Sequence, residues 1–425
     1  MRLTILHTND IHGRQERIAQ IATLVRREKA AADHPVLHLD AGDVEETTNR
    51  LSNLTKGTAM HRLLSQTTCD AATVGNACWL RYGPAILAAH ARASSYPQLL
   101  ANFAGVDGPV PSVLLDRVGV FGLTAPFAQT GDGIDWGFER LDIRETARSV
   151  AGKLRAEGAE LVVLLSHLGL ESPLDPWDDS RLVPELQGEV DLVIGAHTHH
   201  LLPEGEWIGR VLVAQAGEYG NHIGRVEIDG DSMVASVEAI PDDLEQWAGV
   251  GAEAARIEQE VEAMLADDLG SVDVPLDAQY IAEVMRRRMD AEVGLYAVGQ
   301  VIAVLAPGRV TRGAFWEASD SAANPGVTRI GGARLLEMLR RGNDPAFAAE
   351  TPRPLRGRPR GRLEIAGIDP TRIDAEREYV VAGTDWELEQ YGGYVDADWN
   401  LAVRYEFPTI VREAVEEHLG APPPR

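Results

Sequence analysis

Aspartate, asparagine and histidine recur just past short apolar runs in the first half of this 425-residue chain. Those residue types can bind metal ions. Residues 3–7 lead into Asp10 and His12, which lie two apart and so share one side of an extended segment. Residues 36–40 lead into Ala41-Gly42-Asp43, where a glycine beside an acid lets the backbone come close to a ligand. Residues 71–74 end in Gly75-Asn76, residues 161–165 in Ser166-His167, and residues 191–195 in Ala196-His197-Thr198-His199-His200. Taken singly, each such residue is more commonly a helix cap, a turn residue or a hydrogen-bonded core histidine. Together, at equivalent positions past successive apolar runs, they point to a metal centre. Imidazole mixed with carboxylate and amide oxygen suits Mn²⁺, Zn²⁺ or Fe²⁺ better than ions that seek thiolate.

The elements that must position these side chains follow a repeat of strand, polar residue and helix. The runs at 3–7, 36–40, 71–74, 99–102, 118–123, 161–165, 191–195 and 211–215 read as buried strands. Residues 14–30 carry Ile18, Ile21, Leu24 and Val25 at helical spacing, and 57–66 and 84–92 are further predicted helices. Such alternation predicts an α/β fold, in which ligands gather at the carboxyl ends of the strands. Residues 231–251 are acidic and contain Pro241-Asp242-Asp243, a predicted boundary. Residues 252–265 then read as an amphipathic helix with Ile257, Val261 and Leu265 on one stripe.

Composition narrows the function classes. The formal net charge is −25, from 65 acidic and 40 basic residues. That field repels nucleic acid duplexes and anionic membranes from most of the surface. A phosphate-bearing small molecule then requires a local positive site, which metal ions supply. Cys69 and Cys78 are the only cysteines and make no disulfide framework. With no leader read ahead of the first strand and no apolar run long enough for a bilayer, the expectation is a cytoplasmic protein.

The blocks Leu6-His7-Thr8-Asn9-Asp10-Ile11-His12-Gly13, Asp40-Ala41-Gly42-Asp43, Gly75-Asn76, Ser166-His167 and Gly195-Ala196-His197-Thr198-His199 resemble those of the calcineurin-like metallophosphoesterases, in the same order. Within them, the chain looks like the 5′-nucleotidase family. The resemblance implies a four-layer α/β/β/α metallophosphoesterase domain over 1–235, an acidic linker and inter-domain helix over 236–270, and a smaller α/β substrate-binding domain over 271–425. It implies two divalent metal ions, Mn²⁺ or Zn²⁺ foremost with Fe²⁺ the alternative. One ion would sit on Asp10, His12, Asp43 and His199, and the other on Asp43, Asn76, His167 and His197, with Asp43 bridging. The activity implied is hydrolysis of a phosphate ester, a nucleotide or related monoester, through a metal-bridging hydroxide. Diesters such as cyclic nucleotides, and metal-dependent nucleotide binding with weak catalysis, are the alternatives.

The departures from the family are specific. Its Gly-Asn-His-Glu is here Gly75-Asn76-Ala77-Cys78, so the histidine that assists the leaving group is absent. Arg81, His200 and His222 are the candidates to take over that role. Asn76 doubles as a substrate-binding candidate, and Trp386 and Tyr391 are candidates to stack on a nucleobase. The family's Asn-Gly-Gly-x-Arg turn has no arginine here, Ile302 standing near its place, and its Gly-Gly-Asp reads Gly392-Gly393-Tyr394. The run Arg353, Arg356, Arg358, Arg360 and Arg362 reads as a solvated loop, with a phosphate-binding strip as the other possibility.

Overall fold

A computed structural model describes residues 1–125, 136–172, 177–319, 321–351 and 358–420. The chain divides into two compact units, Met1–Glu258 and Gln259–Arg425. The first unit carries β1 (Arg2–Thr8), β2 (Val36–Asp40), β3 (Ala71–Thr73), β4 (Gln98–Leu99), β5 (Phe103–Ala104), β6 (Ser112–Leu115), β7 (Val118–Thr124), β8 (Glu139–Arg140), β9 (Leu161–His167), β10 (Leu192–Gly195), β11 (Glu206–Ile208), β12 (Val211–Ala214), β13 (His222–Asp229) and β14 (Ser232–Ala239). Twelve of them build two six-stranded sheets, in the orders β14-β13-β1-β2-β3-β4 and β11-β12-β10-β9-β7-β6, and β5 pairs with β8. The inner strands of both are parallel; β13 and β14 extend the first sheet antiparallel, and β6 and β11 edge the second antiparallel.

Alternation along the strands explains the layers. Leu161, Val163 and Leu165 of β9 share a buried cluster with Leu3, Ile5 and Leu39 of the first sheet. Val162 and Leu164 pack on the opposite side against Ile143, Ala147, Ala151 and Leu154, on the helix Ile143–Ala156. Such strands are apolar on both faces because each sheet is covered twice. The helix Gln15–Ala31 buries Ile18, Ile21 and Val25, as their spacing predicts. The predicted helix at 84–92 is a 3₁₀ turn, Pro84–Ile86, followed by the helix Leu87–Ala93. Strand β14 runs past the expected boundary at 235, and the helix predicted at 252–265 begins earlier, spanning Ala248–Leu265.

The second unit adds β15 (Asp268–Val272), β16 (Val293–Ala297), β17 (Gly308–Thr311), β18 (Gly326–Gly331), β19 (Leu363–Ala366), β20 (Glu378–Gly383) and β21 (Arg404–Tyr405). Five of these form a sheet in the order β19-β16-β20-β18-β21, and β15 pairs with β17. Ile281, Ala282 and Met285 of the helix Ala278–Arg288 cover one face, and Leu335, Met338 and Leu339 of the helix Gly332–Gly342 cover the other. No helix among the described residues is long and apolar enough to cross a membrane.

Candidate metal centre

The loops after β1 and β2 run side by side, held by Asp10 N–H to Gly42 O (2.9 Å), His12 N–H to Asp43 O (2.9 Å) and Gly13 N–H to Val44 O (2.8 Å). This ladder brings Asp10, His12 and Asp43 to one end of the first sheet. His167 closes β9 in the second sheet, on the face that looks towards the first, and its Nδ1 donates to Ala41 O at 2.8 Å. A carbonyl only accepts, so Nδ1 carries a proton and Nε2 is the nitrogen turned towards a metal. That nitrogen lies 3.3 Å from Asp43 Oδ2 and 3.1 Å from Asn76 Oδ1. His197 Nδ1 approaches the same Asn76 oxygen at 3.0 Å. On the other side His12 Nε2 and His199 Nε2 face each other at 3.2 Å, with Asp10 Oδ1 at 3.8 and 3.5 Å respectively.

The supporting bonds aim the carboxylates. Asp10 Oδ2 accepts from Asn9 Nδ2 (2.8 Å), and the His197 N–H is shared between Oδ2 (3.0 Å) and Oδ1 (3.2 Å), the oxygen that faces His12 and His199. Asp43 Oδ1 accepts from the backbone N–H of Asn76 (2.5 Å) and Ala77 (2.8 Å), which leaves Oδ2 turned to His167. Asp10, His12, Asp43, His197 and His199 all have left-handed backbone, with φ between 48° and 70°. Such φ is uncommon outside glycine and costs on the order of 1–2 kcal/mol per residue. Its concentration in one loop cluster shows backbone bent to make side chains converge.

These residues fit a pair of divalent cations. Imidazole nitrogens of His12 and His199 face each other, and those of His167 and His197 face amide and carboxylate oxygens, at the spacing of ligands around a cation. One atom each from Asp10, His12 and His199, and one each from Asp10, Asp43 and His167, form clusters of metal-binding size, within 4.8 Å. Without metal, protons take the cations' place. Burial opposes charge on His167, yet the Asp43 carboxylate carries its pKa up to about 9; Asp43 falls to about 2 against its own burial, through His167.

Other expected site residues sit apart from this convergence. His200 Nδ1 is bonded to Thr198 Oγ1 at 2.8 Å. His222 opens β13, its Nδ1 is buried without a hydrogen-bond partner, and among the described residues no bond joins it to the ligand set. Arg81 is half-buried on the short helix Trp79–Tyr82 that follows Ala77. In the second unit Trp386 corrects the expectation of a stacking ring: it is 5% exposed and packs with Leu388, Tyr394 and Val381. It stands in a four-residue helix opened by a capping box of Thr384 and Glu387. Tyr391 is 49% exposed and stays a stacking candidate. Where it is described, the arginine run is tied down in part: Arg360 is buried on Phe347 O and Glu350, Arg358 bonds Gly299 O at 3.2 Å, and Arg362 stays solvated beside Glu364 at 2.9 Å. Arg353 and Arg356 lie outside the described residues.

Sequence reasoning passed over Glu46, whose Oε2 is 3.7 Å from His12 Nδ1, and Glu218, which bonds His199 Nδ1. Carboxylates behind ligating imidazoles raise their basicity and fix the ring. Glu218 follows β12 in Gly217-Glu218-Tyr219-Gly220, so the rule that flagged the other strand ends reaches it too.

Residues 3–201 match the family model for calcineurin-like phosphoesterases. The chain carries a calcineurin-like phosphoesterase domain. It is 25% identical to an uncharacterized metallophosphoesterase of Bacillus subtilis, over 99% of this chain and 96% of that one. It is 27% identical to the snake venom 5′-nucleotidase of Crotalus adamanteus, over 56% of this chain and 43% of that protein. The crystal structure of a 5′-nucleotidase precursor from Thermus thermophilus shares the fold, with a TM-score of 0.58, 21% identity, and coverage of 99% of this chain and 96% of that one. The domain is a phosphoesterase, and its family works through a dinuclear metal centre.

Proposed function

We propose that this phosphoesterase is a 5′-nucleotidase-like hydrolase that releases phosphate from nucleotides or related monoesters. The observation that carries the reading is the double convergence: Asp10, His12 and His199 on one side, and Asp43, Asn76, His167 and His197 on the other. Asp43 is the shared ligand of this reading, and Asp10 lies within reach of both groups. When bound, two divalent cations there polarise a phosphoryl oxygen and lower the pKa of water. The chain's own residues hold and orient: Ala41 O sets the His167 ring, Asn9 and the His197 amide set Asp10, and Glu218 sets His199. The complete ligand set favours turnover over binding alone. Relatives named as 5′-nucleotidases support a nucleotide as substrate, with Tyr391 offering an exposed ring to a base.

The test is reconstitution with Mn²⁺ or Zn²⁺ and a panel of nucleoside monophosphates, cyclic nucleotides and nitrophenyl esters. The expected outcome is monoester hydrolysis that Asp43→Ala abolishes together with metal binding at both positions. Undiminished hydrolysis by Asp43→Ala would overturn the ligand assignment, and preference for cyclic nucleotides would overturn the monoester assignment.

A further inference from the structure

A second group of metal-binding side chains lies in the same unit, outside the ligand sets above. Glu45 follows Asp43 by two residues, His61 sits on the helix Thr58–Ser65, and His90 on the helix Leu87–Ala93. All three are buried, with 6%, 5% and 1% exposure. His61 Nε2 is 2.7 Å and His90 Nδ1 is 3.2 Å from the same oxygen, Glu45 Oε1, and the two rings are 4.5 Å apart. One atom from each residue lies within 4.8 Å of the others.

The hydrogen bonds behind the rings say what belongs between them. His90 Nε2 is 2.6 Å from Lys56 O, and a carbonyl can only accept, so Nε2 carries the proton. In the neutral ring Nδ1 is then a bare lone pair facing a carboxylate oxygen, and it has no hydrogen-bond partner. His61 Nε2 donates to Glu45 Oε1 at 2.7 Å; with that proton moved to Nδ1, which Tyr96 Oη at 3.0 Å can accept, Nε2 is bare as well. Gln98 Oε1 is buried beside this ring without a partner and can accept the same proton after an amide turn. Imidazoles anchored through one nitrogen, with the other aimed at a shared point, are how proteins present histidine to a metal. Gly57 (φ +89°) permits the approach: a Cβ there would lie 2.8 Å from His90 Nε2 and 3.0 Å from Glu45 Cγ. Tetrahedral zinc with bonds of 2.0–2.1 Å sets its ligand atoms about 3.3 Å apart. The 3.2 Å between His90 and Glu45 already matches that spacing.

We propose that Glu45, His61 and His90 form a further divalent-cation site of Zn²⁺ type, which ties the loop after Asp43 to the helices behind it. Two imidazoles and a carboxylate suit zinc, and the closed surroundings suit a structural ion. The site is independent of the phosphoesterase reading.

The experiment uses the full-length chain with Asp10→Ala and Asp43→Ala, which removes a carboxylate from each side of the dinuclear cluster. The protein is stripped with chelator, titrated with Zn²⁺ and dialysed, and bound metal is counted. The expected result is about one Zn²⁺ retained per chain, with an X-ray absorption spectrum of two imidazoles and oxygen, and a rise in melting temperature on loading. Adding His90→Gln or His61→Gln should remove both the metal and the rise. Retention of no zinc overturns the proposal, as does zinc that both glutamine variants still hold. If the glutamine variants fail to fold, the spectrum of the parent decides: fewer than two imidazoles on the retained ion overturns the site.

Discussion

At Ala77 the site lacks a side chain that could protonate a leaving group, while the Ala77 amide still donates to Asp43 Oδ1 at 2.8 Å. The residue keeps its part in aiming the carboxylate and gives up acid chemistry. General acids contribute about 10²–10⁴-fold, and most to poor leaving groups such as a ribose alkoxide. The wild type should therefore hydrolyse nitrophenyl esters far faster than nucleoside monophosphates, and Ala77→His should raise kcat on the nucleotide selectively. Steady-state kinetics on both substrates check this. Brisk nucleotide turnover by wild type, unchanged in Ala77→His, would show that departure needs no acid here. His200, held on Thr198, then gains nothing as a substitute.

The strand ends and their loops set the tolerances of the centre. A Cβ on Gly75 would lie 2.0 Å from Asp43 Oδ1 and 2.4 Å from Asp43 N. Both atoms are on the shared ligand, so Gly75→Ala must push that carboxylate aside. Metal retention after dialysis should drop about 10–100-fold in affinity, comparable to losing a supporting residue. Unchanged metal content in Gly75→Ala would mean the loop moves freely. Asp179, at the start of the helix Asp179–Leu182, gives a pH test. Its Oδ1 accepts from Ser166 Oγ at 2.6 Å, Oδ2 has no partner, and burial pushes its pKa up to about 7. The folded protein thus keeps a proton there that the unfolded chain, at about 3.9, releases. Stability from this group is complete below pH ~4 and is lost as pH rises through about 7. Urea titrations should show Asp179→Asn gaining on wild type by about 1.4 kcal/mol from pH 6 to 8.5. A gap that does not change with pH would place the neutral form elsewhere.

These elements also show what a sequence can and cannot disclose. Strands apolar on both faces and ending in a ligand residue, such as β9 with His167, were legible because period and chemistry coincide in one segment. Glu46 was not read, because a carboxylate behind an imidazole is defined by contact across loops and by no local pattern; Glu218, just past β12, lay within reach of the strand-end rule. Trp386 misled for a related reason. A glycine-flanked aromatic reads the same whether its ring faces outward or, as here, packs into the core. The Glu45–His61–His90 group joins residues far apart in sequence and carries no spacing signature.

Over the whole molecule the formal charge of −25 works against the reading of a phosphate ester as substrate. A nucleotide dianion approaches through a repulsive field and is welcomed only close to the cations. The Debye length is about 30 Å at 0.01 M salt and about 8 Å at 0.15 M, so salt should screen the distant acidic surface before it screens the near site. For the metal-loaded enzyme, kcat/KM on a nucleoside monophosphate should rise about two- to tenfold across that range, mostly through KM. A singly charged diester such as bis-nitrophenyl phosphate, if turned over at all, should respond less, because its coupling to the field is about half as large. Metal concentration must be saturating, since salt also weakens the attraction of free cations to an acidic protein. If kcat/KM falls with salt, local attraction at the metal centre reaches further than the surrounding acids repel, and the net charge says little about how substrate arrives.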